Sequence, residues 1–110
     1  MRLFSFLLFL FITFANTQTL YSAPKADYEL YIRDWEKNIA LASQYLRDAE
    51  NSMKNGDKLL GCSNQKKASL YGVKATESLI QAFIISGSME DLSDLKSGLN
   101  KWRELGDFCY

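Results

Sequence analysis

The chain has 110 residues, 13 basic and 13 acidic side chains, two cysteines and no histidine. A chain this short holds one small domain. Its balanced charge offers no basic face for nucleic acid and no polybasic run for an anionic membrane surface. Without histidine the commonest general base is missing. Two cysteines cannot complete a usual zinc shell, and no acidic cluster has calcium-loop spacing. No metal, cofactor or catalytic residue is expected, and the chain reads as a non-enzyme.

The chain opens with Met1 and Arg2, an apolar run from Leu3 to Phe14, and small polar residues from Ala15 to Thr19. A short positive start, about a dozen apolar residues and a polar exit make the pattern of a secretory signal. A spanning helix needs about 20 apolar residues, so no permanent membrane anchor is expected, although an uncleaved N-terminal anchor is the competing reading. Residues 1–23 are assigned to the signal. The cut falls between residues 15 and 26: Thr13 and Ala15 fit the small-x-small rule, Ala23 is followed by Pro24, and Ala26 is a third option. No cysteine follows the run to take a lipid anchor. The expected location is the periplasm or the exterior.

Residues 24–110 then form a single helical domain. The first helix runs from about Ala26 to Asn55. Its seam, Tyr28, Ile32, Trp35, Ile39, Ala42, Leu46, Ala49 and Met53, alternates steps of four and three, the spacing that packs helices at shallow angles. Asp27, Glu29 and Asp34 suit the positive end of that helix. Asn55-Gly56 signals its end, because glycine accepts the left-handed conformation of a C-cap.

The second helix starts at about Lys58 with Asp57 as N-cap, or nearer Ser63 because Gly61 weakens its first turn, and ends at Ser86-Gly87. Its expected seam is Leu59, Cys62, Lys66, Ser69, Val73, Thr76, Ile80 and Phe83, polar in the first half and apolar in the second. Gly72 lies in its middle, where a neighbouring helix can approach closely, with Trp35 or Tyr45 as the expected cover. A third helix follows from Met89 to Leu105, with Ser88 and Asp91 spaced like a capping box, Met89, Leu92, Leu95, Leu99 and Trp102 on its apolar face, and Gly106 as its stop.

Short connectors force neighbouring helices to run antiparallel. The expected fold is therefore an all-α, up-down-up three-helix bundle. In that arrangement the third helix and its tail climb back to the head of the second, so Cys62 and Cys109 meet. In an exported chain with a thin core, two such cysteines read as one internal disulfide.

Three groups of residues invite a chemical reading. Ser63-Asn64-Gln65-Lys66 spells S-x-x-K, the nucleophile motif of penicillin-binding proteins and β-lactamases, but the chain is too short for that fold and the companion motifs are missing; it reads as a polar helix start. The carboxylates Glu29, Asp34 and Glu36, and Glu90, Asp91 and Asp94, sit at helix starts, where capping and the dipole account for them. Glu77 reads as a rim carboxylate beside Lys74 or Gln81.

The most informative region is the end where the second helix closes in Phe83-Ile84-Ile85, apolar around most of its circumference. There it meets Tyr28, Tyr31, Ile32 and Trp35 from the first helix, and Met89 and Leu92 from the third. Three helices cover one stripe of each, not every side. Some of Tyr28, Tyr31, Trp35, Phe83, Ile84 and Ile85 are then left to contact a protein partner or a second copy, unless the segment around Leu20-Tyr21-Ser22 folds back over them or they pack as ordinary core. The leading reading is an interaction or structural module. The alternative is a carrier holding a small apolar ligand or lipid between its helices, with Lys66, Ser69 and Thr76 marking a loosely packed upper seam.

Overall fold

Two glycines set the chain reversals. Gly56 (φ 82°) and Gly87 (φ 78°) both adopt the left-handed conformation, and each completes the same helix-ending motif. At the first, Gly56 N–H donates to the Met53 carbonyl (3.1 Å) and Asp57 N–H to that of Ser52 (2.9 Å). At the second, Gly87 N–H donates to Ile84 (3.2 Å) and Ser88 N–H to Phe83 (2.9 Å). These turns separate three antiparallel helices: α1 (Arg2–Lys54), α2 (Lys58–Ser86) and α3 (Leu92–Asp107), the last preceded by a 3₁₀ turn at Met89–Asp91. The computed structural model describes the backbone from residue 2 to 109 and the side chains from residue 25 to 109. The expected leader, residues 1–23, lies outside the described side chains.

The fold is the expected all-α three-helix bundle, closed by a Cys62–Cys109 disulfide with Cα atoms 5.4 Å apart. Three boundaries differ from expectation. α1 begins at Arg2 rather than near Ala26; the one proline, Pro24, removes a single N–H donor and does not end the helix. Ser88 and Asp91 form no capping box, since neither side chain makes a cap hydrogen bond; the 3₁₀ turn occupies that position, and Ser88 Oγ pairs with Ser86 Oγ at 3.1 Å. Gly106 does not stop α3, which continues to Asp107. It gives room instead: a Cβ there would fall 2.5 Å from Ser69 Oγ. The N-terminus of α2 is as expected, with Leu60 N–H donating to the Asp57 carboxylate at 3.1 Å.

α2 is the central element. It packs on α1 along one side and on α3 along another, while among the described residues α1 and α3 make no direct backbone approach. The side facing α1 is built from small residues. Gly61, Ala68, Ala75 and Ala82 recur every seven residues and are buried, as are Ala42 and Ala49 on α1. Met53 lies against Gly61, and Tyr45 stacks on Tyr71 with ring centroids 5.6 Å apart. Among the described residues no large side chain is fully buried. The stripe expected as the seam of α2 turns partly to α3: Ser69 Oγ donates to the Trp102 carbonyl, and Gln65 Nε2 to that of Leu105 at 2.9 Å. Leu59 and Lys66, placed in that seam, are exposed. Gly72 permits a close approach, but from Trp102 of α3 rather than Trp35 or Tyr45.

Candidate interaction surface

The turn between α2 and α3 gathers the residues singled out in the sequence. Antiparallel packing brings the first described turns of α1 beside the last turns of α2, so Tyr28, Tyr31 and Trp35 share one end with Phe83, Ile84 and Ile85. Ile84 is exposed, and the other five are half-buried. Leu30 is a further exposed side chain at that end, and Met89, expected on the apolar face of the third helix, is exposed too because it stands on the 3₁₀ turn before α3. The apolar run of α2 reaches the end of the helix without meeting enough neighbours, because α3 enters through an exposed 3₁₀ turn and its first buried residue is Leu92.

A shallow groove borders this end, lined by Tyr31, Asn38, Lys74, Glu77, Ser78 and Gln81. Glu77 is not held by Lys74 or Gln81. Its carboxylate lies 3.9 Å from Arg103 of α3, with both side chains more than half exposed, a pairing worth little in solvent. Lys67 and Lys74 lie over the rings of Tyr45 and Tyr71, at 5.5 and 5.3 Å from the centroids, so part of the basic half of α2 is engaged with the tyrosine stack.

The polar seam offered as a loose spot is closed. Ser69 bonds to Trp102, Thr76 Oγ1 donates to the Gly72 carbonyl at 2.8 Å, and among the described residues no buried side-chain polar atom lacks a partner. The described concave regions are open grooves on the surface. Ser63 and Lys66 of the S-x-x-K tetrapeptide are both exposed beside the disulfide. Among the described residues no group of His, Cys, Asp and Glu is arranged to hold a metal ion, and no helix is long and apolar enough to cross a membrane.

Sequence reasoning missed the opposite end. Leu59, Leu60 and Phe108 are exposed around the disulfide, where Lys58, Leu59, Cys62, Ser63, Lys66 and Cys109 line an open groove. The available signal was Leu59-Leu60 directly after an N-cap, in a turn weakened by Gly61, with Phe108 beside the terminal cysteine. No protein-family model matches the chain, nor does any curated protein or solved structure.

Proposed function

We propose that this is an exported, disulfide-stapled helical module that works by binding another protein through its apolar α2–α3 end, without catalysis of its own. The observation that carries the reading is the cluster at that end: Leu30, Ile84 and Met89 exposed, with Tyr28, Tyr31, Trp35, Phe83 and Ile85 only half-buried. Exposed apolar side chains gathered at one end, with aromatics among their half-buried neighbours, are typical of protein contacts. The Cys62–Cys109 bridge supports export, because disulfides persist in oxidising compartments, and so does the apolar leader pattern at residues 3–14.

The test is site-specific photo-cross-linking in the native compartment. A photoreactive residue at position 84 is expected to give discrete adducts that a probe at exposed Gln44 does not, and Ile84→Asp is expected to abolish partner capture while circular dichroism stays unchanged. Equal labelling from positions 84 and 44 defeats the reading. Intact mass before and after reduction checks the export proposal: loss of the leader and a gain of two hydrogens on reduction are expected.

A further inference from the structure

The part of the bundle whose side chains are described exposes apolar residues at both ends of α2, and the two ends differ in charge. Residues 25–40 and 80–96, which build the α2–α3 end, carry seven acidic and four basic side chains; residues 45–68 and 97–109, towards the disulfide end, carry seven basic and five acidic. The contrast is sharpest where the apolar side chains are most exposed. Met89 (60% exposed) stands on the 3₁₀ turn with Glu90 and Asp91 directly after it, and Ile84 (46%) lies one turn back on α2. Neither Ser88 nor Asp91 is used as a side-chain cap, so the Asp91 carboxylate is not committed to the backbone. At the other end Leu59 (88%) and Phe108 (86%) are exposed, and an open groove there is lined by Lys58, Leu59, Cys62, Ser63, Lys66 and Cys109. One end is thus an apolar projection beside carboxylates, and the other an apolar recess beside a lysine.

We propose that the Met89 end of one copy seats on the groove beside Leu59 and the disulfide of a second copy, head to tail, with Glu90 and Asp91 facing Lys58. The proposal rests on the α2–α3 end being a contact surface and adds what covers it. Leu59 and Ile84 are 25 residues apart on one helix, about 37 Å at 1.5 Å per residue. A single copy therefore cannot satisfy both ends, and the contact is heterologous: it propagates along a row of molecules instead of closing as an isologous pair. Burial of Met89, Ile84, Leu59 and Phe108 supplies the apolar core of the contact, and the opposed charges fix its direction.

The experiment uses protein expressed from the full sequence and recovered from the exported fraction, its form fixed by intact mass. Sedimentation velocity is run across a concentration series, at low and high salt, on the wild type, Met89→Lys, Leu59→Lys and an equimolar mixture of the two variants. The wild type is expected to form dimers and longer species that weaken with salt. Each single variant is expected to associate at least about tenfold more weakly. In the mixture each variant keeps one intact end, so association is expected to return and to stop at the dimer. Circular dichroism checks the fold, and Ile84→Lys and Phe108→Lys replace any variant that unfolds. A mixture that stays monomeric overturns the proposal, as does a Leu59→Lys protein that associates like the wild type, which would indicate contact between two α2–α3 ends. A wild type that is monomeric throughout but still gives adducts from position 84 overturns the head-to-tail contact and leaves the protein-binding reading standing.

Discussion

Two helix-interior glycines, Gly72 in α2 and Gly98 in α3, should respond in opposite directions to the same substitution. A Cβ at Gly98 meets nothing within 4 Å, whereas one at Gly72 would lie 2.1 Å from Cδ2 and 2.3 Å from Cε3 of Trp102. Removing glycine from a helix interior gains about 1 kcal/mol in each case, because alanine loses less backbone entropy on folding. At Gly98 that gain stands alone. At Gly72 the indole must withdraw by more than about 1 Å to reach ordinary contact, and a rigid ring cannot fold aside as a flexible chain end can; overpacking of this kind costs about 1–3 kcal/mol. The Trp102 carbonyl also holds Ser69 Oγ, so moving the residue strains a second α2–α3 contact. Gly98→Ala should stabilise by about 1 kcal/mol and raise Tm by about 4–8 °C, while Gly72→Ala should lose that gain and end up to about 2 kcal/mol less stable than wild type. Urea titration followed by circular dichroism measures both. In a Trp35→Phe background the only remaining indole is Trp102, so its emission should shift to the red in Gly72→Ala alone. Equal stabilisation by the two alanines, with unchanged emission, would refute the placement of α3 on α2.

Three further outcomes follow from the packing and the caps. The Cys62–Cys109 bridge closes a separation of 47 residues, and Cys62→Ser or reduction should lower stability by about 4 kcal/mol on the chain-entropy account, read as a large fall in Tm without loss of helix at low temperature. Ala75 is fully buried in the small-residue stripe; Ala75→Leu should cost at least about 1–3 kcal/mol by forcing α1 and α2 apart, measured by urea unfolding, whereas the same change at exposed Gln44 should leave stability within about 0.5 kcal/mol. Asp57→Ala removes the acceptor of the Leu60 N–H and should cost about 1 kcal/mol, seen as a shift in urea midpoint with an unchanged slope.

The helices, their reversal points and the bridge were legible because each has a loud chemical signal: Asn55-Gly56 and Ser86-Gly87 for the left-handed turns, Asp57 for the cap, and two lone cysteines brought to one end by antiparallel packing. The face of α2 was not legible. Gly61, Ala68, Ala75 and Ala82 carry little hydrophobic weight, and in a helix apolar around much of its lower half the larger side chains dominate any periodicity. The stripe they trace, Leu59 through Phe83, lies beside the true contact with α1 and faces α3 in part. Gly72 was recognised as a point of close approach, but sequence cannot say which of two neighbouring helices supplies the indole. Likewise the apolar α2–α3 end was readable as a crowd of large side chains in one place, while Leu59 and Phe108 are separated by 49 positions and come to the same end only because the Cys62–Cys109 bridge brings the tail back to the head of α2.

Small contact residues have a consequence for the rest of the surface. Alanine and glycine let helix axes approach towards about 8 Å, the short end of the packing range, but a seam of that width has no room for leucine, tyrosine or tryptophan. Those side chains are pushed to the flanks of the α1–α2 contact, where Tyr28, Tyr31, Trp35, Ile39 and Leu46 are half-buried rather than enclosed. Such a core buries less apolar area for each ordered residue than a leucine-packed one. A covalent cross-link that limits the unfolded chain offsets that deficit, which fits a bridge placed between α2 and the tail of α3. The same geometry that makes the staple necessary leaves large apolar groups unclaimed at the ends of the rods, beyond the reach of the alanine stripe. Exposed contact surface and covalent closure are in this sense two results of one choice of residue size along α2.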